Sequence, residues 1–190
     1  MNDAEIRENF HRKRLRRQHA HGGTLVVNEL GLNHGRCRAD IALVNGRLVG
    51  YEIKSDSDSL KRLAEQIRAY NAIFDRVFMI VGERHVKCAR RHIPRWWGLI
   101  LSVRGPRGAI NFQTLRDAKT NERVDPISVA RLLWRSEVVE VLRQKGVPPR
   151  ILRQPRADLY QYFVSILDAR DVGRVVREHL KTRKNWRYRG

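Results

Sequence analysis

Between Ala39 and Lys54 two apolar runs flank Asn45-Gly46, a dipeptide that favours the tight reversal of a β-hairpin. No other stretch constrains the fold as strongly, because loop length decides which side chains share a face. An odd loop puts Ile41, Leu43, Val49, Tyr51 and Ile53 together, a complete core face. Asp40, Ala42, Gly50, Glu52 and Lys54 then occupy the other. An even loop mixes apolar and charged residues on both faces. The apolar pattern therefore selects the odd loop, and two carboxylates and an ammonium stand on one face. The small residues Ala42 and Gly50 beneath them are expected to leave room for a ligand.

The flanking elements follow from local signals. Asp3 to Gln18 reads as a charged helix with Ile6, Phe10 and Leu15 on one side, broken by Gly22-Gly23. Thr24 to Leu30 is β-rich and Gly31 to Gly35 reads as a turn. After the hairpin, Leu60, Leu63, Ile67, Tyr70 and Phe74 recur at helical spacing, with Asp56 and Asp58 as candidate N-caps. Val77 to Val81 suits a buried parallel strand after a crossover helix. The order is helix, strand, strand, strand, helix, strand. Further on, His85 to His92 reads as a short helix, and Leu99 to Val103 and Ala109 to Phe112 as strands. Asp125-Pro126 starts a helix running to about Lys145. Beyond Pro148-Pro149 come two more, Ala157 to Leu167 and Asp171 to Lys184. The expected organisation is an α/β core over 1–112 and a mostly helical C-terminal extension over 113–190.

Charge narrows the partners. Of 190 residues, 39 are Lys or Arg and 20 are Asp or Glu, a formal net charge of +19. Such a chain repels itself unless a polyanion neutralises it, and nucleic acid is the obvious candidate. Only 8 of the basic residues are Lys, and Arg suits bidentate phosphate contacts. A hydrophobic content of 42% excludes a disordered basic tail. No apolar run reaches the length of a membrane span, and no export signal is read at the N-terminus. Two cysteines exclude a disulfide framework. The expectation is a cytoplasmic protein that binds DNA, with RNA left open.

The hairpin face carries the chemistry. Two close carboxylates repel each other unless a cation sits between them. A hard divalent ion fits, since Mg²⁺ is commonly held by one or two carboxylates plus substrate phosphate. Lys54 would then orient a water for attack on phosphorus or stabilise the transition state. Asp40 and Glu52 are expected to stand exposed in a cleft with little packed against them.

Asp40, eleven residues, then Glu52-Ile53-Lys54 after a hairpin resembles the PD-(D/E)xK nuclease superfamily, with Ala39 in place of the usual Pro. Gln66-Ile67-Arg68-Ala69-Tyr70 on the next helix matches the QxxxY motif of its RecB-type branch. The wider stretch from Thr24 to Val81 resembles an uncharacterised bacterial and phage family assigned to that superfamily. The resemblance implies a restriction-endonuclease-like α/β core and a Mg²⁺- or Mn²⁺-dependent nuclease acting on DNA phosphodiesters. It assigns catalysis to Asp40, Glu52, Lys54 and Gln66, and the metal to Asp40 and Glu52. A first acidic ligand is expected near the start of the core; Glu29, Glu5 and Glu8 compete, with Glu29 favoured. Tyr70, Arg38, Lys61 and Arg62 are the expected nucleic-acid contacts.

Other residues have plainer readings. His34, Cys37, His85, Cys88 and His92 have zinc-compatible spacing, but their basic neighbours make a poor setting for a cation. Trp96 and Trp97 offer stacking surfaces, with packing preferred for at least one. The alternative function is an inactive nucleic-acid-binding module on the same fold. A basic RNA-associated protein fits the charge but leaves Asp40, Glu52, Lys54 and Gln66 unexplained.

Overall fold

The computed structural model describes residues 1–184; residues 185–190, the end of the expected helical extension, lie outside the described residues. One six-stranded sheet organises the chain, with strands in sequence order: β1 (Leu25–Leu32), β2 (Cys37–Val44), β3 (Leu48–Lys54), β4 (Arg76–Val81), β5 (Gly98–Arg104) and β6 (Ile110–Arg116). Strands β1, β2 and β3 are antiparallel neighbours, β3, β4 and β5 run parallel, and β6 returns antiparallel. The two parallel steps need crossovers, supplied by α3 (Leu63–Ile73) and α4 (Val86–His92). Ahead of the sheet stand α1 (Asp3–Arg14) and α2 (Arg16–Ala20). After it come α5 (Pro126–Ala130), α6 (Arg135–Gln144), α7 (Pro149–Leu152), α8 (Arg156–Ser165) and α9 (Ala169–Thr182). The fold is thus mixed α/β, with the expected helix–strand–strand–strand–helix–strand order.

The hairpin loop is Asn45-Gly46-Arg47, three residues, with Val44 opposite Leu48 and Ile41 opposite Tyr51. This odd loop turns Ile41, Leu43, Tyr51 and Ile53 toward Ile6, Phe10 and Leu15, forming a small core on one side of the sheet. The larger core on the other side joins the sheet to α3 and continues into the C-terminal helices through Val129, Leu133, Leu142, Phe163 and Val176. Both helical layers are needed because a sheet that is apolar on both faces must be covered twice.

Local expectations fail where tertiary burial overrides them. The first helix is not continuous to Gln18. Leu15 lies nine residues after Ile6, half a turn out of phase at 3.6 residues per turn. It leaves helical geometry and so buries beside Ile6 and Phe10. Asp56 and Asp58 do not cap the next helix. The Asp58 carboxylate accepts from the Ser55 N–H at 2.7 Å, and Asp56 accepts from the Arg84 N–H at 3.0 Å. That helix begins at Leu63 instead, without a side-chain cap. The helix expected from Asp125 to Lys145 is two, α5 and α6, because Leu132 and Leu133 turn into the core and Glu137 restarts the helix by accepting from the Trp134 N–H at 2.6 Å. Nor is the space over Gly50 open to a ligand. A Cβ there would lie 2.7 Å from the buried Phe74 ring, so the glycine makes room for Phe74. Trp97 is fully buried, its indole N–H donating to Asn71 at 2.8 Å. Among the described residues, no helix is long and apolar enough to cross a membrane.

Candidate active site

The site forms where the sheet ladder lapses. Residues Asn28 and Leu30 of β1 pair with Ile41 and Ala39 of β2, while Glu29 and Asp40 between them do not pair. Glu29 has φ of 54°, a left-handed conformation costing about 1–3 kcal/mol in a residue other than glycine. The β2–β3 ladder ends at Ile41 and Tyr51. Beyond it the Asp40 carboxylate takes the place of a backbone partner, accepting from the Ile53 N–H at 2.6 Å.

A cavity of about 410 Å³ opens over this break. It brings together seven of the residues singled out in the sequence: Glu29, Arg38, Asp40, Glu52, Lys54, Arg62 and Gln66. Lys61 does not join them; it lies exposed in the turn before α3. Of the other candidate acids, Glu5 completes a capping box with Asn2 and pairs with Arg104 at 2.9 Å, and Glu8 lies on the outer side of α1. Glu29 is therefore the one of the three that reaches the cavity.

Glu52 is not exposed in a cleft, contrary to expectation. It is completely buried and held from three sides: Lys54 Nζ at 2.7 Å, the Tyr70 hydroxyl at 2.5 Å and a short hydrogen bond from the Gln66 amide. Asp40 is one-fifth exposed. Tyr70 is fully buried and cannot touch a bound strand. Its hydroxyl donates to Glu52 and accepts from the Asp40 N–H at 3.3 Å, so it fixes the two acids relative to each other. Gln66 and Tyr70, one helical turn apart, thus act on the same carboxylate.

Sequence reasoning missed Arg7. From α1 its guanidinium reaches Glu29 at 2.5 Å, Asp3 at 2.8 Å and Asp40 at 3.5 Å. The Asp3–Arg7 pair, four apart on a helix, was visible as an ion pair, but its arrival at the hairpin depends on how α1 docks. Glu65 and Asp58 also line the cavity.

The electrostatics are those of crowded acids. Burial and the charge on Glu52 push Asp40 up to about 8, against the smaller opposing effects of the Ile53 N–H and Arg7. Burial also raises Glu52, opposed by Lys54, Tyr70 and Gln66. Two buried carboxylates that resist ionising together call for a cation. Gln66 Oε1 is buried beside them without a hydrogen-bond partner, a further oxygen donor. These donors fit Mg²⁺ or Mn²⁺, which commonly takes one or two carboxylates and completes its shell with phosphate and water. Among the described residues no group of three or more His, Cys, Asp or Glu side chains converges to hold a metal. The set is thus a carboxylate pair with Glu29 engaged by Arg7.

Comparison with known proteins bears on the chain as a whole. The chain is similar to protein cII of Enterobacteria phage P4, 26% identical over 122 residues, which are 64% of this chain and 46% of that protein. The match thus spans less than half of the relative's length. Among solved structures, a Silicibacter pomeroyi protein of unknown function overlaps 75% of this chain and 89% of its own, with a TM-score of 0.45 and 18% identity. The model of the family described as bacteriophage P4 protein cII matches residues 2–188, nearly the full length, and the chain belongs to that family.

Proposed function

We propose that the chain is a divalent-metal-dependent nuclease that hydrolyses DNA phosphodiester bonds on a restriction-endonuclease-like core. The observation that carries this reading is the convergence of Asp40, Glu52, Lys54 and Gln66 on one cavity with Tyr70 directly beneath. Asp40 and Glu52 would hold Mg²⁺ or Mn²⁺, with Glu29 as the third carboxylate at the cavity. The ion supplies Lewis acidity toward the phosphoryl oxygen and lowers the pKa of a bound water. Lys54, fixed by Glu52, donates to the attacking water and to the charge that develops on phosphorus-bound oxygens. Gln66 and Tyr70 hold Glu52 in place, which keeps the acid pair from drifting apart. Arg38 and Arg62 at the cavity wall neutralise flanking phosphates.

One observation favours a second reading, an inactive nucleic-acid-binding module. Arg7 pairs with Glu29 and Asp40 and so supplies a cation to the acid cluster from the chain itself. The two readings separate in one experiment. Purified protein is incubated with end-labelled single-stranded and duplex DNA in Mn²⁺, Mg²⁺ or EDTA. The nuclease reading expects metal-dependent cleavage that Asp40→Asn abolishes and Lys54→Ala sharply reduces. Equal residual activity in wild type and Asp40→Asn would mark a contaminant and leave the binding module.

A further inference from the structure

A second, larger hollow of about 1140 Å³ lies between β1, at the edge of the sheet, and the C-terminal helices. Its walls carry Arg38, Arg131, Arg135, Arg156, Arg183 and Lys184, against a single carboxylate, Glu29. Arg183 is already engaged, with Glu137 at 2.6 Å and the Trp134 ring at 4.2 Å, and Arg38 pairs with Glu29 at 3.6 Å, so the weight falls on the others. Trp134 also lines the hollow and is 37% exposed, unusual for a large apolar side chain on so charged a surface. Glu29, Gly35 and Arg38 line both this hollow and the cavity over Asp40 and Glu52, so the two spaces adjoin.

We propose that this groove binds single-stranded DNA and leads it into the Asp40–Glu52 cavity. The inference rests on the nuclease reading for the destination of the strand, and on the groove alone for its binding. Cations in excess along a channel follow a phosphate backbone, and an exposed aromatic gives a base something to stack on, a combination typical of single-strand sites. A paired base keeps its face inside the duplex and has none to offer Trp134. The local field is consistent with this: burial, then the charges of Arg156, Arg131 and Arg36, lowers the pKa of His34 at the groove floor. Positive charge therefore accumulates there, with Glu29 as the one carboxylate among the lining residues. Arg131 and Arg156 flank the strand, Trp134 stacks on it, and Arg38 stands at the junction with the cavity.

The test is binding in EDTA, where no cleavage intervenes. A fluorescein-labelled thymidine oligomer of about 15 nucleotides, within the span of known single-strand sites, is titrated by anisotropy beside a duplex of equal length. Wild type should prefer the single strand. Arg131→Ala with Arg156→Gln should weaken it at least tenfold and lower the log–log salt slope by about 1.4, as expected for two lost phosphate contacts. Trp134→Ala should cost about tenfold and Trp134→Phe should restore most of it, a rescue that a merely structural tryptophan would not give. Thermal unfolding of each variant checks that it is folded. Preference for the duplex, or variants that bind like wild type, would overturn the groove. Cleavage by wild type in Mn²⁺ with unaffected groove variants removes this inference and leaves the nuclease. Groove-dependent binding without cleavage supports the groove and removes the nuclease.

Discussion

Asp40 shows most directly what crowding two acids does to one side chain. Its carboxyl is held up to about 8 by burial and by Glu52, so without a divalent ion it keeps its proton near neutrality. An acid whose folded pKa lies above its unfolded value, about 4, stabilises the fold fully below that lower value. The contribution is lost as pH rises through about 8. Metal-free protein should therefore lose stability between about pH 5 and 8, and Asp40→Asn should flatten that slope; thermal unfolding across the pH range measures it. Glu52 carries a different liability. Its removal leaves the ammonium of Lys54, one-tenth exposed, without its counter-charge. Glu52→Ala should cost about 3 kcal/mol in denaturant unfolding, the usual penalty for breaking a buried pair from one side. Glu52→Gln should cost less, because an amide oxygen still accepts from Lys54. On the proposed nuclease reading, loss of cleavage in either variant therefore needs a stability control, and most of all in Glu52→Ala.

Elements are positioned by close contacts that a linear reading sees only in part. Gly50 of β3 sits against the ring of Phe74, just past the end of α3, and this contact sets how closely the helix carrying Gln66 and Tyr70 approaches the hairpin. Gly50→Ala should destabilise by about 1–3 kcal/mol, the usual cost of overpacking. Phe74→Leu in the same chain should recover part of it, which a double-mutant cycle by chemical denaturation would show. The hairpin was legible because its information is local: loop parity and alternation alone put Asp40, Glu52 and Lys54 at one cavity. The Gln66–Tyr70 spacing was legible as well, but not the burial of Tyr70, because being under a site or in it depends on how deeply α3 packs. Arg7 was illegible for the same reason. Nothing in the sequence of α1 says that it docks on the hairpin. Its apolar residues read as one stripe, yet the phase of Leu15 requires a break.

At the scale of the molecule, charge and topology act separately. A net +19 makes association with any polyanion strongly electrostatic. Affinity for DNA should therefore fall linearly in log–log terms between about 50 and 200 mM salt; anisotropy that ignores salt over that range would point to another kind of partner. Topology bears on how the chain reaches this state at all. Each strand of the sheet lies beside its neighbour in sequence, so a chain emerging from the ribosome meets every new strand's partner already made. Loop-closure entropy is small at each such step. The exception is α1, which precedes every strand of the sheet. It is fastened to the last strand, with Lys13 reaching the Ile110 carbonyl 97 positions away at 2.5 Å and Arg14 reaching Thr114 at 2.8 Å. During synthesis the helix that carries Arg7 must wait for β6 to be translated before it has its full seat. Asp40 is translated before β6 completes the seat of the helix whose guanidinium reaches it, so the contact between α1 and the hairpin is fully held only once the last strand is made.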